Sequence, residues 1–173
     1  IEYPVMSGSN TICVETVLLE TGMLDAVEPV TNLVLESAAG LIPVECQVRD
    51  GKVTQVRFTN QPAFVHHLDA PVEVDGLGTV TVDVAWGGMA YVILDARQFG
   101  IAITPDEARD ICALGERVKI AAAEQLPAVH PLNPDFPGIT IAEFTLPTER
   151  VGGVLTAKNT VVVSPGRLDR SPC

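Results

Sequence analysis

Near its start the chain carries two hydroxyl side chains on a flexible turn that leads directly into an apolar segment. The turn is Met6-Ser7-Gly8-Ser9-Asn10, and the apolar segment covers residues 11–19. This order predicts a helix that enters a core, with the Asn10 side chain accepting from the free backbone N–H groups of the first turn. Because those N–H groups and the helix dipole favour negative charge, a carboxylate fits there, with Ser7 as the reactive group beside it. From this stretch alone, an ordinary capped helix is the simpler interpretation.

Two further motifs lie in the middle and at the end of the sequence. Residues 82–91 form a strand-like run that contains Gly87-Gly88, and the last five residues are Asp169-Arg170-Ser171-Pro172-Cys173. Together with the first motif they resemble the proline racemase family, whose members carry Met-Cys-Gly-His, a Gly-Gly strand and Asp-Arg-Ser-Pro-Cys-Gly-Thr in this order. The resemblance covers the whole chain, and three spaced motifs make it specific. Ser7 stands where the family's first motif has cysteine.

The resemblance implies an enzyme that needs no cofactor and acts at the α-carbon of an amino acid. Inverting that carbon requires a base on one face and an acid on the opposite face. Ser7 and Cys173 are the pair implied by the family motifs. A thiol suits the role of base, since its pKa falls at a helix N-terminus. A hydroxyl is a much poorer base, so Ser7 has to be activated or act mainly as the acid.

The serine–cysteine pair resembles that of 4-hydroxyproline 2-epimerases, which convert trans-4-hydroxy-L-proline to cis-4-hydroxy-D-proline. Two alternatives stay open: dehydration of trans-3-hydroxy-L-proline, alone or beside epimerisation, and a non-catalytic amino-acid-binding relative. The family's dehydratases more often carry cysteine first and threonine second. Its proline racemases carry two cysteines, so proline itself is the less expected substrate.

The resemblance also implies which residues bind the substrate. Asp169 matches the family aspartate that pairs with the substrate amine, and a carboxylate suits a secondary ammonium. Gly8 and Asn10 would offer backbone N–H groups to the substrate carboxylate. Ser9 replaces a family histidine that contacts substrate, which leaves recognition of the ring open. The glycine and threonine that follow the family's second catalytic position are not in this sequence.

The composition is that of a packed globular protein. Of the 173 residues, 47% are hydrophobic and 19% are charged. The net charge of −11 argues against nucleic-acid binding, which relies on Lys and Arg. No apolar run is long enough to span a bilayer, and there is no phosphate-binding or dinucleotide-binding motif. The expected partner is a small molecule, hydroxyproline or proline, and the family resemblance implies a homodimer.

The cysteines and histidines show no metal-binding pattern. Cys13, Cys46 and Cys112 are predicted to be small buried hydrophobes, and reduced thiols in the cytoplasm are the default. Pairing between cysteines stays open. The adjacent His66 and His67 are predicted to point to opposite faces of a strand, so that they do not share a metal ion. His130 is predicted at the surface, and Trp86 in the core.

The predicted elements follow from periodicity and turn residues. Helices are predicted over residues 10–20 and 105–125, the second beginning at Thr104-Pro105-Asp106-Glu107. Strands are predicted between them and after residue 138, with a hairpin turn at Asp50-Gly51. Gly87-Gly88 predicts either a bulge near a ligand or a simple hairpin turn. The order indicates an α+β fold with a mostly antiparallel sheet.

The resemblance sharpens this to the diaminopimelate-epimerase-like fold, in which each of two lobes curls a sheet around a central helix. Residues 1–100 are assigned to most of the first lobe, 101–138 to a connecting helix and Pro-rich linker, and 139–173 to the start of the second lobe. Because the sequence begins at Ile1 and ends within a motif at Cys173, we interpret it as a fragment of a longer polypeptide.

Overall fold

The computed structural model describes residues 5–163 and 166–169. The helices are α1 Gly8–Glu20 and α2 Ala108–Gln125, with short 3-10 helices at Ala96–Phe99 and Pro105–Glu107. The strands are β1 Val30–Ser37, β2 Gly40–Arg49, β3 Lys52–Phe58, β4 Phe64–Val74, β5 Gly78–Trp86, β6 Ala90–Asp95, β7 Ile139–Val151, β8 Val154–Val163 and β9 Arg167–Asp169. The α+β class is confirmed. The chain forms two compact units that join between Pro62 and Ala63.

The first unit packs α1 against a three-stranded antiparallel meander. Its strands run in the order β1-β2-β3, and α1 lies mainly on β3. Asp50 and Gly51 both have positive φ, 51° and 69°, which is why this pair makes the predicted hairpin turn between β2 and β3. The core of the unit consists of Met6, Leu19, Ile42, Val44, Cys46 and Val48.

The face of helix α1 that is buried in the first unit is largely polar. Thr11, Glu15 and Leu19 follow one another at a spacing of four residues and are all buried. The apolar side chains of the helix, such as Ile12 and Val17, are exposed by contrast. Cys13 is also exposed, so its prediction as a core residue was wrong, because it lies off the buried stripe. Cys46 is buried as predicted, and Cys112 is half-buried.

The second unit is a six-stranded sheet covered by α2. The strands lie in the order β4-β5-β6-β7-β8-β9, and every pair is antiparallel except β6-β7. The parallel pair requires a crossover, which α2 supplies. Gly87-Gly88 forms the simple hairpin turn between β5 and β6, with the Gly87 N–H donating to the Met89 carbonyl at 3.0 Å.

The long helix and its start agree with the sequence prediction. Residues 105–107 form the 3-10 turn, and α2 follows directly to Gln125. The Glu107 carboxylate accepts a hydrogen bond from the Thr104 backbone N–H at 2.8 Å, which completes a capping box. Within the described residues, no helix is long and apolar enough to cross a membrane. The lobe boundaries predicted at residues 100 and 138 concern the whole protein and stay a prediction.

Candidate functional site

The Ser7 turn is fixed to the first unit on both sides. The carbonyl of Val5 accepts from the Ala39 N–H at 3.0 Å, and Met6 is buried in the core. Ser7 is extended, with φ −129° and ψ 111°, and its carbonyl accepts from both the N–H and the hydroxyl of Thr11, each at 3.0 Å. The chain therefore leaves the core at Met6 and enters the helix at a defined residue.

The helix begins three residues before the position expected from Asn10. Ser7 is the N-cap residue, and Asn10 is the third residue of the helix, where it is exposed. The prediction of Asn10 as the cap was therefore wrong, because the anchored Met6 lets Gly8 and Ser9 adopt helical geometry. The Ser7 side chain makes no capping hydrogen bond. Its hydroxyl is thus not committed to the role that serine usually has at this position.

The start of α1 is an electropositive end of the helix. The N–H groups of Gly8, Ser9 and Asn10 have no intrahelical acceptor, since each lies within the first turn. No acidic side chain lies in that turn. Three of the four residues predicted to bind substrate, Gly8, Ser9 and Asn10, thus follow Ser7 directly and carry the free N–H groups. This arrangement can hold a carboxylate.

A buried carboxyl group lies on the same helix two turns further along. Glu15 is 2% exposed, and its Oε2 atom has no hydrogen-bond partner among the described residues. Burial raises the pKa of this carboxyl. Burial also raises the pKa of the Cys46 thiol, with a further contribution from Glu15. Sequence analysis missed Glu15, although a single acid inside an apolar helical segment was a visible signal.

The raised pKa of Glu15 predicts an unusual pH dependence of the free energy of unfolding. Because its pKa is raised in the folded state, the stability it contributes is present below about pH 4.3 and is lost as pH rises through the raised pKa. Glu15→Gln should therefore gain stability over the parent as pH increases from about 4.5 to about 8, measured by urea unfolding. Glu20→Gln is the matched control on the same helix. Lys52 lowers the pKa of Glu20, so that variant should be less stable than the parent by an amount that stays constant over this range, because the contribution of Glu20 is lost only below about pH 4.3. Equal pH profiles for Glu15→Gln and the parent would contradict the assignment.

The short strand β9 leads into the second predicted catalytic motif, residues 169–173. Asp169 ends this strand and lies opposite Val161 of β8. The buried Thr160 hydroxyl donates to the Asp169 carbonyl at 3.1 Å, and the Asp169 side chain is on the exposed side. Cys173, the predicted thiol base, lies outside the described residues. Ser7 and Asp169 belong to different units.

Helix α2 contacts the segment that leads into β9. The Lys119 ammonium is 5% exposed and donates to Glu116 Oε2 at 2.9 Å. The same carboxylate oxygen accepts from the Gly166 N–H at 3.4 Å. On the adjoining sheet, Glu143 accepts from the Asn159 amide at 2.6 Å, and burial raises its pKa. None of these supporting contacts was predicted from the sequence.

The three histidines lie in one aromatic cluster of the second unit. A β-bulge between Val65 and His67 breaks the alternation that predicted opposite faces, and the two adjacent rings lie 6.5 Å apart. His67 Nε2 donates to the Pro127 carbonyl at 2.8 Å. His130 is half-buried rather than at the surface, with its ring 4.6 Å from the buried Trp86. No group of three potential metal ligands occurs in the described part of the chain.

This cluster predicts an acid-induced change at Trp86, the single tryptophan of the chain. His130 Nδ1 accepts from the N–H groups of Leu132 and Asn133, which fixes its ring beside Trp86. Burial, followed by His67 and His130, lowers the pKa of His66, so its stability contribution is present above about pH 6.5 and lost on acidification. Trp86 emission should therefore shift to the red between about pH 7.5 and about pH 5. His66→Gln should weaken the shift, and identical parent spectra at both pH values would contradict this prediction.

The comparisons with known proteins identify the family. The family model described as proline racemase matches residues 1–173. The chain belongs to the proline racemase family. A solved hydroxyproline epimerase from Agrobacterium vitis, with bound trans-4-hydroxy-L-proline, is 38% identical with a TM-score of 0.87. A probable proline racemase from Agrobacterium radiobacter K84, with bound carbonate, is 36% identical with the same TM-score.

Both solved structures of this family are about twice as long as the chain. Each match covers 98% of this chain and 48% of the other. Methylitaconate-delta-isomerase also matches, at 16% identity and a TM-score of 0.57, which shows a similar fold alone. The membership of the proline racemase family that the sequence motifs predicted is therefore confirmed.

Proposed function

We propose that the protein is a cofactor-independent 4-hydroxyproline 2-epimerase, which interconverts trans-4-hydroxy-L-proline and cis-4-hydroxy-D-proline. The observation that carries this proposal is the Ser7 turn. An uncommitted hydroxyl lies directly beside the free N–H groups of Gly8, Ser9 and Asn10. The solved hydroxyproline epimerase, matched across nearly the whole chain, supports the choice of substrate class.

The binding step uses opposite charges on the two ends of the amino acid. The free N–H groups at the start of α1 donate hydrogen bonds to the substrate carboxylate. The Asp169 carboxylate pairs with the ring ammonium through a charge-assisted hydrogen bond. Ser9, in place of a histidine, offers a smaller side chain and a hydroxyl toward the substituted ring. The α-carbon is then held between the two catalytic groups.

The chemical step transfers one proton on each face of the α-carbon. The Cys173 thiolate removes the α-proton and becomes a thiol, leaving a carbanion whose charge spreads into the carboxylate. Ser7 then donates its hydroxyl proton to the opposite face, which inverts the centre. The helix dipole and N–H groups stabilise negative charge at both the carboxylate and the Ser7 oxygen. The reverse reaction uses the same groups with exchanged roles.

The substrate assignment is tested with the full polypeptide that contains this sequence. Trans-4-hydroxy-L-proline, trans-3-hydroxy-L-proline and L-proline are incubated separately, and products are resolved by NMR and chiral chromatography. Formation of cis-4-hydroxy-D-proline, at a higher kcat/KM than any product from proline, is the expected result. Binding without conversion of any substrate would instead indicate a non-catalytic amino-acid-binding protein.

Dehydration of trans-3-hydroxy-L-proline is the second candidate, and the hydroxyl at position 7 is what favours it. After Cys173 removes the α-proton, the carbanion can expel the 3-hydroxyl group as water if an acid protonates it. Ser7 is the available acid beside the carboxylate site. The resulting enamine tautomerises to a cyclic imine. Detection of this imine, with no inverted 4-hydroxyproline, would decide for the dehydratase.

The free thiols fit a reducing compartment. Cys13, Cys46 and Cys112 are all unpaired in the described chain. Disulfides are rare in the cytosol, where glutathione and thioredoxin keep thiols reduced. We therefore place the proposed activity in the cytoplasm.

A further inference from the structure

The ring of Phe58 presses end-on against the backbone of Gly8. A Cβ atom added to Gly8 would stand 2.8 Å from Phe58 Cζ and 3.5 Å from its Cε1 atom. A real Cβ atom essentially never comes closer than 3.0 Å to such a neighbour. Gly8 does not have the positive φ that favours glycine for conformational reasons. The requirement for glycine at this position is therefore steric, and Phe58 imposes it.

Phe58 has a rigid base in the first unit. It is paired with Val44 at the end of β3, and the next residue, Thr59, donates its N–H to the Pro43 carbonyl at 2.9 Å. The ring packs against the core cluster that also contains Met6. The Ser7-Gly8 turn is therefore fixed by two neighbours. Met6, which precedes it, is buried, and the Phe58 ring lies against the Gly8 Cα. A close contact of this kind transmits displacements of the ring to the turn.

We propose that Phe58 is a positioning residue for the reaction, which sets the location of the Gly8 N–H and the Ser7 hydroxyl. This inference rests on the proposed function, because it assigns those groups to carboxylate binding and proton transfer. Phe58 acts through Gly8 rather than on the substrate. Misplacing reacting groups by about 1 Å can cost roughly 10²-fold in rate, so a ring that fixes the turn has a large effect on catalysis.

The test is a pair of compensating substitutions in the full polypeptide. Gly8→Ala should lower kcat/KM for trans-4-hydroxy-L-proline by about 10²-fold, because the new methyl group displaces the turn from Phe58. Phe58→Leu shortens the side chain and should lower kcat/KM by about 10-fold, since the turn loses its support. The double variant Gly8→Ala/Phe58→Leu should recover activity relative to Gly8→Ala. Non-additivity of this kind is the signature of direct contact.

Val56→Ala is the matched control. Val56 lies on the same strand and packs against the same core cluster, but Gly8 makes its close contact with Phe58. This variant should lower Tm while leaving kcat/KM unchanged. A purely structural role for Phe58 would give the same pattern in Phe58→Leu, and that result would overturn the inference. An active Gly8→Ala variant, or additive effects in the double variant, would also overturn it.

Calorimetric binding of trans-4-hydroxy-L-proline separates this inference from the proposed function. If the parent binds the ligand but does not convert it, the epimerase proposal fails, and the same variants are compared by Kd. Weaker binding in Gly8→Ala, with recovery in the double variant, would then still support the positioning role. A parent that neither binds nor converts the ligand would overturn both proposals.

Discussion

Replacing Cys173 with alanine is expected to lower α-proton exchange on 4-hydroxyproline by about 10²–10⁴-fold, the range that positioned acid–base groups contribute. The thiol is the only good base of the proposed pair, because the pKa of a serine hydroxyl lies far above that of cysteine. Exchange is measured by loss of the α-proton NMR signal in D₂O. Retained exchange in Cys173→Ala would contradict the role of this residue.

The Ser7→Ala variant should behave differently from Cys173→Ala. Cys173 can still remove and return a proton on its own face, so one of the two isomers should exchange its α-proton without inverting. Inversion should fall by a similar factor of about 10²–10⁴ in both variants. Ser7→Cys restores two thiols and is the matched control, in which inversion should be retained. Full inversion by Ser7→Ala would exclude Ser7 as the opposing acid.

Replacing Gly115 with alanine is expected to destabilise the second unit by about 1–3 kcal/mol, as overpacking of a core does. Gly115 lies on the buried face of α2, and an added Cβ would stand 2.6 Å from Val162 Cγ2 and 3.0 Å from Phe144 Cε2. Both neighbours are fully buried on the sheet, so neither can move freely. The better helix propensity of alanine offsets at most about 1 kcal/mol of this cost.

Thermal and urea unfolding check the Gly115 prediction. The double variant Gly115→Ala/Val162→Ala removes the nearer clashing atom and should be less destabilised than the sum of the two single variants. Gly87→Ala is the control for adding a methyl group in open space, because a Cβ added there would meet no neighbouring atom within 4 Å. A Gly115→Ala protein as stable as the parent would contradict the close packing of α2.

Local sequence signals predicted the elements that depend on local chemistry. Asp50-Gly51 supplies two residues that accept positive φ, and the hairpin follows directly. Thr104 and Glu107 form their capping box within a single turn, so the start of the α2 region was also predictable. The family resemblance that the motifs carried is confirmed by the family match over residues 1–173.

Contacts between distant residues could not be predicted in the same way. Alternation along β4 fails at His66, because a bulge inserts an extra residue opposite β5. The start of α1 was misplaced because the anchor at Val5 comes from Ala39, which lies beyond β1 in the chain. The contact of Phe58 with Gly8 has no local signal either, since the two residues lie on separate elements. Sequence reasoning therefore named candidate site residues, which stay a prediction, but not the residues that position the Ser7 turn.

The most direct test of the central claim follows deuterium during the first few per cent of conversion of trans-4-hydroxy-L-proline in D₂O. If two groups act on opposite faces, the product should carry deuterium at its α-carbon while the remaining substrate keeps its proton. This is expected because Ser7 donates a solvent-derived deuteron to the opposite face before the Cys173 thiol exchanges its captured proton with solvent. In Ser7→Ala that donation is absent, so the thiol has time to exchange. Equal early labelling of substrate and product would indicate a single exchanging base and would contradict the proposed roles of Ser7 and Cys173. No labelling of either would contradict the activity itself.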